Sequence, residues 1–113
     1  MGEPDQARTE IPPGTLYMLV LKTLAQLGPS HGYGIAQHIQ RTSEILQVEE
    51  GSLYPALQRM LIKGWVTAEW GQSDNNRRAR YYRLTPLGRK QLSAEISEFV
   101  RVMEAITRVI QPA

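Results

Sequence analysis

One stretch, Glu49 to Leu84, restricts the fold more than any other. Leu53, Ala56, Leu57, Met60 and Leu61 recur at i, i+3, i+4, i+7 and i+8, the apolar stripe of an amphipathic helix. Gly64 follows Lys63 and suits a C-terminal cap. The period then changes at once. Trp65 to Trp70 is rich in β-branched and aromatic residues and is short enough for a strand. Gly71 to Asn76 has turn chemistry, and Tyr81 to Leu84 reads as a return strand that starts near Arg78. A helix followed directly by a hairpin leaves few arrangements for the rest of a short chain.

The polar side of that helix carries Ser52, Pro55, Gln58, Arg59 and Lys63, with Tyr54 at its margin. Pro55 is expected in the first turn, where its missing N–H has no consequence. The N-terminal half of the face is thus small, polar and aromatic, and its cations lie toward the C-terminus. Such a face fits a helix whose first residues meet base edges in a DNA groove. An ordinary solvated face would look similar, and the hairpin decides between them. From Arg77 to Lys90 there are six cations (Arg77, Arg78, Arg80, Arg83, Arg89 and Lys90) and no acid, out of thirteen Lys and Arg in all. Solvated faces usually mix signs, whereas clustered arginine beside a turn suits phosphate or a narrow minor groove.

The remaining segments can be read around this unit. With 113 residues, 42% hydrophobic and 21% charged, one ordinary domain is expected, with a small core that would gain from a partner chain. Net charge is only +2, so the distribution of charge carries the argument rather than its sum. The absence of cysteine excludes a disulfide framework, a thiol nucleophile and a thiolate metal site. No apolar run reaches membrane-spanning length and no leader pattern is evident, so a cytoplasmic location is expected. Residues 1–13 read as a flexible N-terminal tail. Thr15 looks like the N-cap of a helix to about Leu27, with Leu16, Leu19, Val20, Leu24 and Leu27 as its stripe and Met18 and Leu21 widening it. That breadth predicts contact with both the core and a second subunit. Ser30 is the expected cap of a second helix, from about Gly32 to Thr42, whose glycines suggest close helix–helix approach. Ile35, Ala36 and Ile39 should face the core. Ile45 to Val48 reads as a short extended piece that could pair with the hairpin. This order, mainly α with a small β-wing, is that of a winged helix-turn-helix domain over residues 14–84.

Residues 85–111 form a separate unit. Thr85 caps and Pro86 occupies the first position of a helix to about Ile110. Leu92, Ile96, Phe99, Met103, Ile106 and Ile110 follow an a/d spacing, widened by Val100, Val102 and Val109. The stripe is too long to leave in water, and a homodimer through this helix is expected.

Other constellations carry little chemistry. His31 and His38 are seven apart, too far for an i, i+4 metal pair, and His31 reads as a structural residue near a helix start. Glu49 and Glu50 suit a helix N-terminus. Trp65 and Trp70 read as packing residues, and of Tyr81 and Tyr82 only one can face outward on a strand. No metal, cofactor or enzymatic constellation is evident.

Ser30-His-Gly-Tyr-Gly-Ile-Ala, Gly51-Ser-Leu-Tyr-Pro-Ala-Leu, Gly64-Trp-Val and Arg80-Tyr-Tyr-Arg-Leu-Thr-Pro-Leu-Gly88, in that order, resemble the PadR family of bacterial transcriptional regulators, across about residues 14–110. The single C-terminal helix resembles its smaller subfamily. The resemblance implies a homodimeric winged-helix repressor on palindromic double-stranded operator DNA, often released by a small effector. It also implies that Ser52, Tyr54, Pro55 and the basic wing residues lie at the DNA face. Some small members bind flat aromatic compounds between their C-terminal helices, where tryptophan can take part; here Phe99 is that helix's only aromatic residue.

The combined expectation assigns Ser52, Tyr54 and Gln58 to base edges or nearby phosphates. Arg59 and Lys63 are assigned to phosphate, and Arg77, Arg78 and Arg80 to the adjacent backbone or minor groove. A small aromatic or hydrophobic effector is an expected partner. The competing reading is a winged-helix module for protein–protein assembly, with the arginines meeting an acidic partner.

Overall fold

The computed structural model describes residues 9–12 and 14–112. In chain order the elements are β1 (Thr9–Glu10), α1 (Leu16–Leu27), β2 (Ser30–His31), α2 (Gly32–Thr42), β3 (Leu46–Gln47), α3 (Glu50–Ile62), β4 (Val66–Gln72), β5 (Arg78–Leu84) and α4 (Pro86–Ile110). Helices α1, α2 and α3 enclose a core of Val20, Leu21, Leu24, Ile35, Ile39, Leu53, Leu57 and Met60, closed on one side by Val66 and Tyr82 of the sheet. This is a winged helix-turn-helix, as the pattern of periods predicts.

The helix ends explain the turns between elements. Helix α3 stops in a Schellman motif: Gly64 has φ +79°, its N–H donates to the Leu61 carbonyl at 3.1 Å, and the Trp65 N–H donates to Met60 at 3.0 Å. The chain is thereby turned directly into β4. Helix α4 begins as expected, with the Thr85 hydroxyl accepting from the Gly88 N–H at 3.0 Å. Thr85 also donates to the carbonyls of Gly64 and Trp65, which fastens the start of α4 to the base of the wing.

Two caps differ from expectation. Thr15 is already helical in φ and ψ, and its hydroxyl donates to the Pro12 carbonyl instead of capping α1. Ser30 does not cap α2; His31 does, with Nδ1 accepting from the Gly34 N–H at 3.0 Å. Ser30 is buried in β2, which pairs antiparallel with β5 (Ser30 with Tyr82, His31 with Tyr81). The third strand of the wing sheet, of order β2-β5-β4, is therefore Ser30–His31 and not the 45–48 segment. That segment pairs in parallel with β1, Leu46 beside Thr9 and Gln47 beside Glu10. Periodicity could not choose between these partners, because a two-residue strand has no period to read. The pairing also places Thr9–Glu10, assigned to the tail, in a strand; residues 1–8 lie outside the described residues.

Side-chain placement corrects four further details. Leu27, expected on the α1 stripe, is exposed, while Val20, Leu21 and Leu24 form the buried line. Gly71 belongs to β4, and the hairpin loop is Asp74-Asn75-Asn76, closed by the Ser73 N–H on the Arg77 carbonyl, with Asn76 at φ +61°. Of the α2 glycines, Gly32 admits another helix through one side chain, Tyr54 of α3, whereas Gly34 admits only the His31 ring of its own cap. A Cβ on Gly32 would lie 2.6 Å from Cε1 and the hydroxyl of Tyr54, and one on Gly34 would meet the His31 ring at 3.3 Å. Leu92, expected on the dimer seam, is only 8% exposed and belongs to its own chain's core.

Beyond Leu92 helix α4 has no buried residue. Its 25 residues span roughly 37 Å at 1.5 Å per residue, and they carry Ile96, Phe99, Val100, Val102, Met103, Ile106, Val109 and Ile110 exposed to solvent. Helix α1 packs against α4. No helix of the described residues is long and apolar enough to cross a membrane.

Candidate nucleic-acid interface

Helix α3 turns Leu53, Ala56, Leu57 and Met60 inward, and this leaves Ser52, Tyr54, Pro55, Gln58, Arg59 and Lys63 exposed on the opposite side. All six residues singled out in the sequence are on the outer surface. The helix starts at Glu50, one turn earlier than the position of Pro55 suggests, so Pro55 lies inside it. Having no N–H, Pro55 cannot bond the Gly51 carbonyl four residues back. Both residues are exposed, so water or a ligand can take that acceptor.

Tyr54 is anchored at one end and accessible at the other. Its ring lies on the N-terminus of α2 at Gly32, yet the residue is 45% exposed. Its phenol pKa is raised above the ordinary value, first by desolvation, then by the Glu50 carboxylate and by Tyr82. It therefore stays a neutral donor and acceptor throughout the physiological range. Gly32, in the Ser-His-Gly-Tyr-Gly motif, is what allows this pose, and sequence spacing gives no hint of the contact.

Ser52, Pro55 and Arg59 line a cleft of about 480 Å³, with Tyr17 of α1 on its far side. Arg59 donates from Nε to the Tyr17 hydroxyl, and its guanidinium carbon is 5.7 Å from the centroid of that ring. Lys63 places its ammonium 5.3 Å from the centroid of Trp65. Tyr17 and Trp65 meet edge to face at 5.4 Å. Tyr17 sits beside the α1 apolar stripe and was not singled out in the sequence; its only signal is that it is the single aromatic residue of that helix.

The wing register sorts the arginines by face. Leu84, Tyr82, Arg80 and Arg78 lie opposite Val66, Ala68, Trp70 and Gln72. Because side chains alternate along a strand, these eight share one face. Its inner half is the sheet's contribution to the core, and its outer half, beyond the body of the domain, carries Trp70, Arg78 and Arg80. Trp70, read as a packing residue, is 58% exposed and supports the Arg78 guanidinium at 4.5 Å from its ring centroid. Trp65 matches the packing expectation. Tyr82 is buried and Tyr81 lies on the other face across Gly71, donating to the Gln72 carbonyl at 2.7 Å, so the two tyrosines divide as expected. Arg77 leads into β5 from the loop and is exposed. Among the described residues the sole ion pair is Arg101–Glu98 on α4, so no carboxylate neutralises Arg59, Lys63, Arg77, Arg78 or Arg80.

An exposed polar helix face beside unneutralised wing cations is an arrangement that can meet a groove and its flanking phosphates. Comparison with known proteins agrees with it. The sequence matches the transcriptional regulator PadR-like family over residues 20–94. It is 33% identical over 100 residues to an uncharacterized protein of Lysinibacillus sphaericus, covering 88% of this chain and 91% of that one. The fold is similar to a transcriptional regulator from Clostridium thermocellum, with TM-score 0.78 and 28% identity over 87% of this chain and 95% of the other. It is also similar to a PadR family transcriptional regulator from Eggerthella lenta, with TM-score 0.75 and 25% identity over 88% and 85% of the two chains. With the match spanning most of the helix-turn-helix and wing, the chain belongs to the PadR-like family of transcriptional regulators.

Proposed function

We propose that this DNA-binding regulator acts as a homodimeric repressor of operator DNA, released by a small aromatic or hydrophobic effector. In this reading residues 14–84 are the DNA-binding unit and residues 85–111 the dimerisation helix. The observation that carries it is the combination of an outward α3 face (Ser52, Tyr54, Pro55, Gln58) with wing arginines that no carboxylate among the described residues neutralises. Ser52, Tyr54 and Gln58 meet base edges or adjacent phosphates. Arg59 and Lys63 meet phosphate beside the helix, and Arg77, Arg78 and Arg80 reach the next stretch of backbone or the minor groove.

The open stripe on α4 supports the dimer. Ile96, Phe99, Met103, Ile106 and Ile110 lie along one side, and all five remain exposed to solvent. Leu92 acts differently, tying α4 to its own domain. A two-fold dimer through α4 carries two copies of α3, and reading successive major grooves requires them to lie about 34 Å apart. Because α4 is fastened to the wing base through Thr85 and packs on α1, the setting of the two helices fixes the setting of the two α3 faces. An effector seated among Phe99, Met103 and their neighbours on the partner helix that fits one setting better than another shifts the population between DNA-compatible and incompatible dimers.

The test is fluorescence anisotropy with the DNA upstream of the chain's own coding sequence, at two salt concentrations, with random duplex as control. Sequence-preferring binding that weakens steeply with salt is the expected result. No binding to any duplex at low salt would refute the reading and favour an assembly module with an acidic protein partner.

A further inference from the structure

The cations around α3 and the wing share a feature that their DNA-facing position does not require. Arg59 lies over Tyr17, Lys63 over Trp65 and Arg78 over Trp70, at 5.7, 5.3 and 4.5 Å from the ring centroids. These are all the cation–π pairs among the described residues, and they engage both of the chain's tryptophans. The three rings come from separate places: α1, the turn after α3, and β4. Among the described residues none of the three cations has a carboxylate partner, and the one ion pair, Arg101–Glu98, is on α4 away from the wing.

We propose that Tyr17, Trp65 and Trp70 are positioning residues that seat Arg59, Lys63 and Arg78 for phosphate while leaving their charge undiminished. The inference rests on the DNA-binding reading above. A carboxylate would also hold a guanidinium in place, but it would cancel the charge that attracts the phosphate. An aromatic ring holds the cation through its quadrupole and carries no net charge of its own. A seated side chain has already given up part of its rotamer freedom, so less is lost on docking. Tyr17 and Trp65 also brace each other edge to face, so the seats of Arg59 and Lys63 form one unit. Trp70 is the most informative case. It lies outside the core, and the ring that the sequence assigns to packing has more than half its surface in solvent. Seating Arg78 accounts for a large apolar side chain at that place.

The experiment is a double-mutant cycle on the full chain, using the tightest-binding duplex recovered from a random-sequence pool and a series of salt concentrations. Trp70→Leu is expected to weaken binding about two- to fivefold per protomer at fixed salt, the range for an exposed cation–π contact. It should leave the slope of log affinity against log salt unchanged, because no cation is removed. Arg78→Gln is expected to lower that slope by about 0.9 per protomer. In the Arg78→Gln background Trp70→Leu should have no further effect, and Trp70→Phe should recover most of the wild-type affinity. Wild-type affinity in Trp70→Leu, or a loss that persists in full without Arg78, would overturn the proposal while leaving DNA binding intact. Should Trp70→Leu disturb the hairpin, as read by far-ultraviolet circular dichroism, the Tyr17→Leu and Arg59→Gln pair gives the same cycle at α1, with Tyr17→Phe as the variant that keeps the ring and loses only the hydroxyl. Failure of the wild-type chain to bind any duplex in the pool would overturn both this inference and the reading it rests on.

Discussion

Alanine in place of glycine should have opposite effects at two helical positions of this protein. A Cβ on Gly88 would fall 2.1 Å from the Trp65 carbonyl oxygen and 2.7 Å from Leu84 Cδ1. The first distance is more than an ångström inside the ~3.3 Å of a close C–H···O contact. The carbonyl cannot turn away freely, since it accepts from the Thr85 N–H at 3.1 Å and from the Thr85 hydroxyl at 3.0 Å. The start of α4 must therefore back off from the wing. Overpacking of this kind costs about 1–3 kcal/mol, and loosening two hydrogen bonds adds roughly 1 kcal/mol each. The better helix propensity of alanine offsets up to about 1 kcal/mol. The balance is a loss of about 2–5 kcal/mol, or roughly 10–30 °C in Tm for a domain of this size. At Gly51, in the first turn of α3, a Cβ meets nothing within 4 Å, so Gly51→Ala keeps only the favourable term, up to about 1 kcal/mol. Thermal and urea unfolding of both variants, at one protomer concentration because a dimer's stability depends on it, checks the pair. A Gly88→Ala midpoint within a few degrees of wild type, or equal shifts in the two variants, would refute the argument that α4 is pressed against the wing base.

Gly32→Ala is expected to force Tyr54 out of its seat at a cost of about 1–3 kcal/mol; the same cost in a Tyr54→Ala background, measured by urea unfolding, would show that the two residues are not in contact. The Tyr54 phenol has its pKa raised, so its protonated form is favoured by the fold. The stability tied to it is complete below the unfolded-state value near 10 and is lost as pH rises through the higher folded value. The ultraviolet difference titration of wild type against Tyr54→Phe should accordingly show a phenol that ionises above that ordinary value, and one ionising at or below it would contradict the desolvation argument. Ile106→Glu should weaken the dimer by about 10²–10⁴-fold, since two isoleucines worth roughly 1.5–3 kcal/mol each leave a two-fold seam. Sedimentation equilibrium reads this directly, and an unchanged mass at every concentration would exclude the α4 stripe as the dimer contact.

Several parts of the architecture were already written in the sequence because their physics is local. The periods of 3.6 and 2 around Gly64, the Thr85-Pro86 start of α4 and the turn residues after Gln72 each act within a few residues, so helix α3, the wing and helix α4 appear where the patterns place them. The exposure of Ser52, Tyr54, Gln58 and the wing arginines follows from the same periodicity. Tertiary structure decided what depends on residues far apart. Which strand joins the wing was settled by Ser30–His31 reaching Tyr81 and Tyr82, since a two-residue strand carries no period and is chosen by its partner alone. Leu92 shares the spacing of Ile96 and Phe99 but is buried by its own domain, because α4 leaves the core only after that turn. The roles of Gly32 beneath Tyr54, Gly88 against Trp65, and the aromatic rings under Arg59, Lys63 and Arg78 are likewise contacts between separate elements. Side-chain type and spacing fix which face of an element points inward; only the packed chain fixes what each outward residue rests upon.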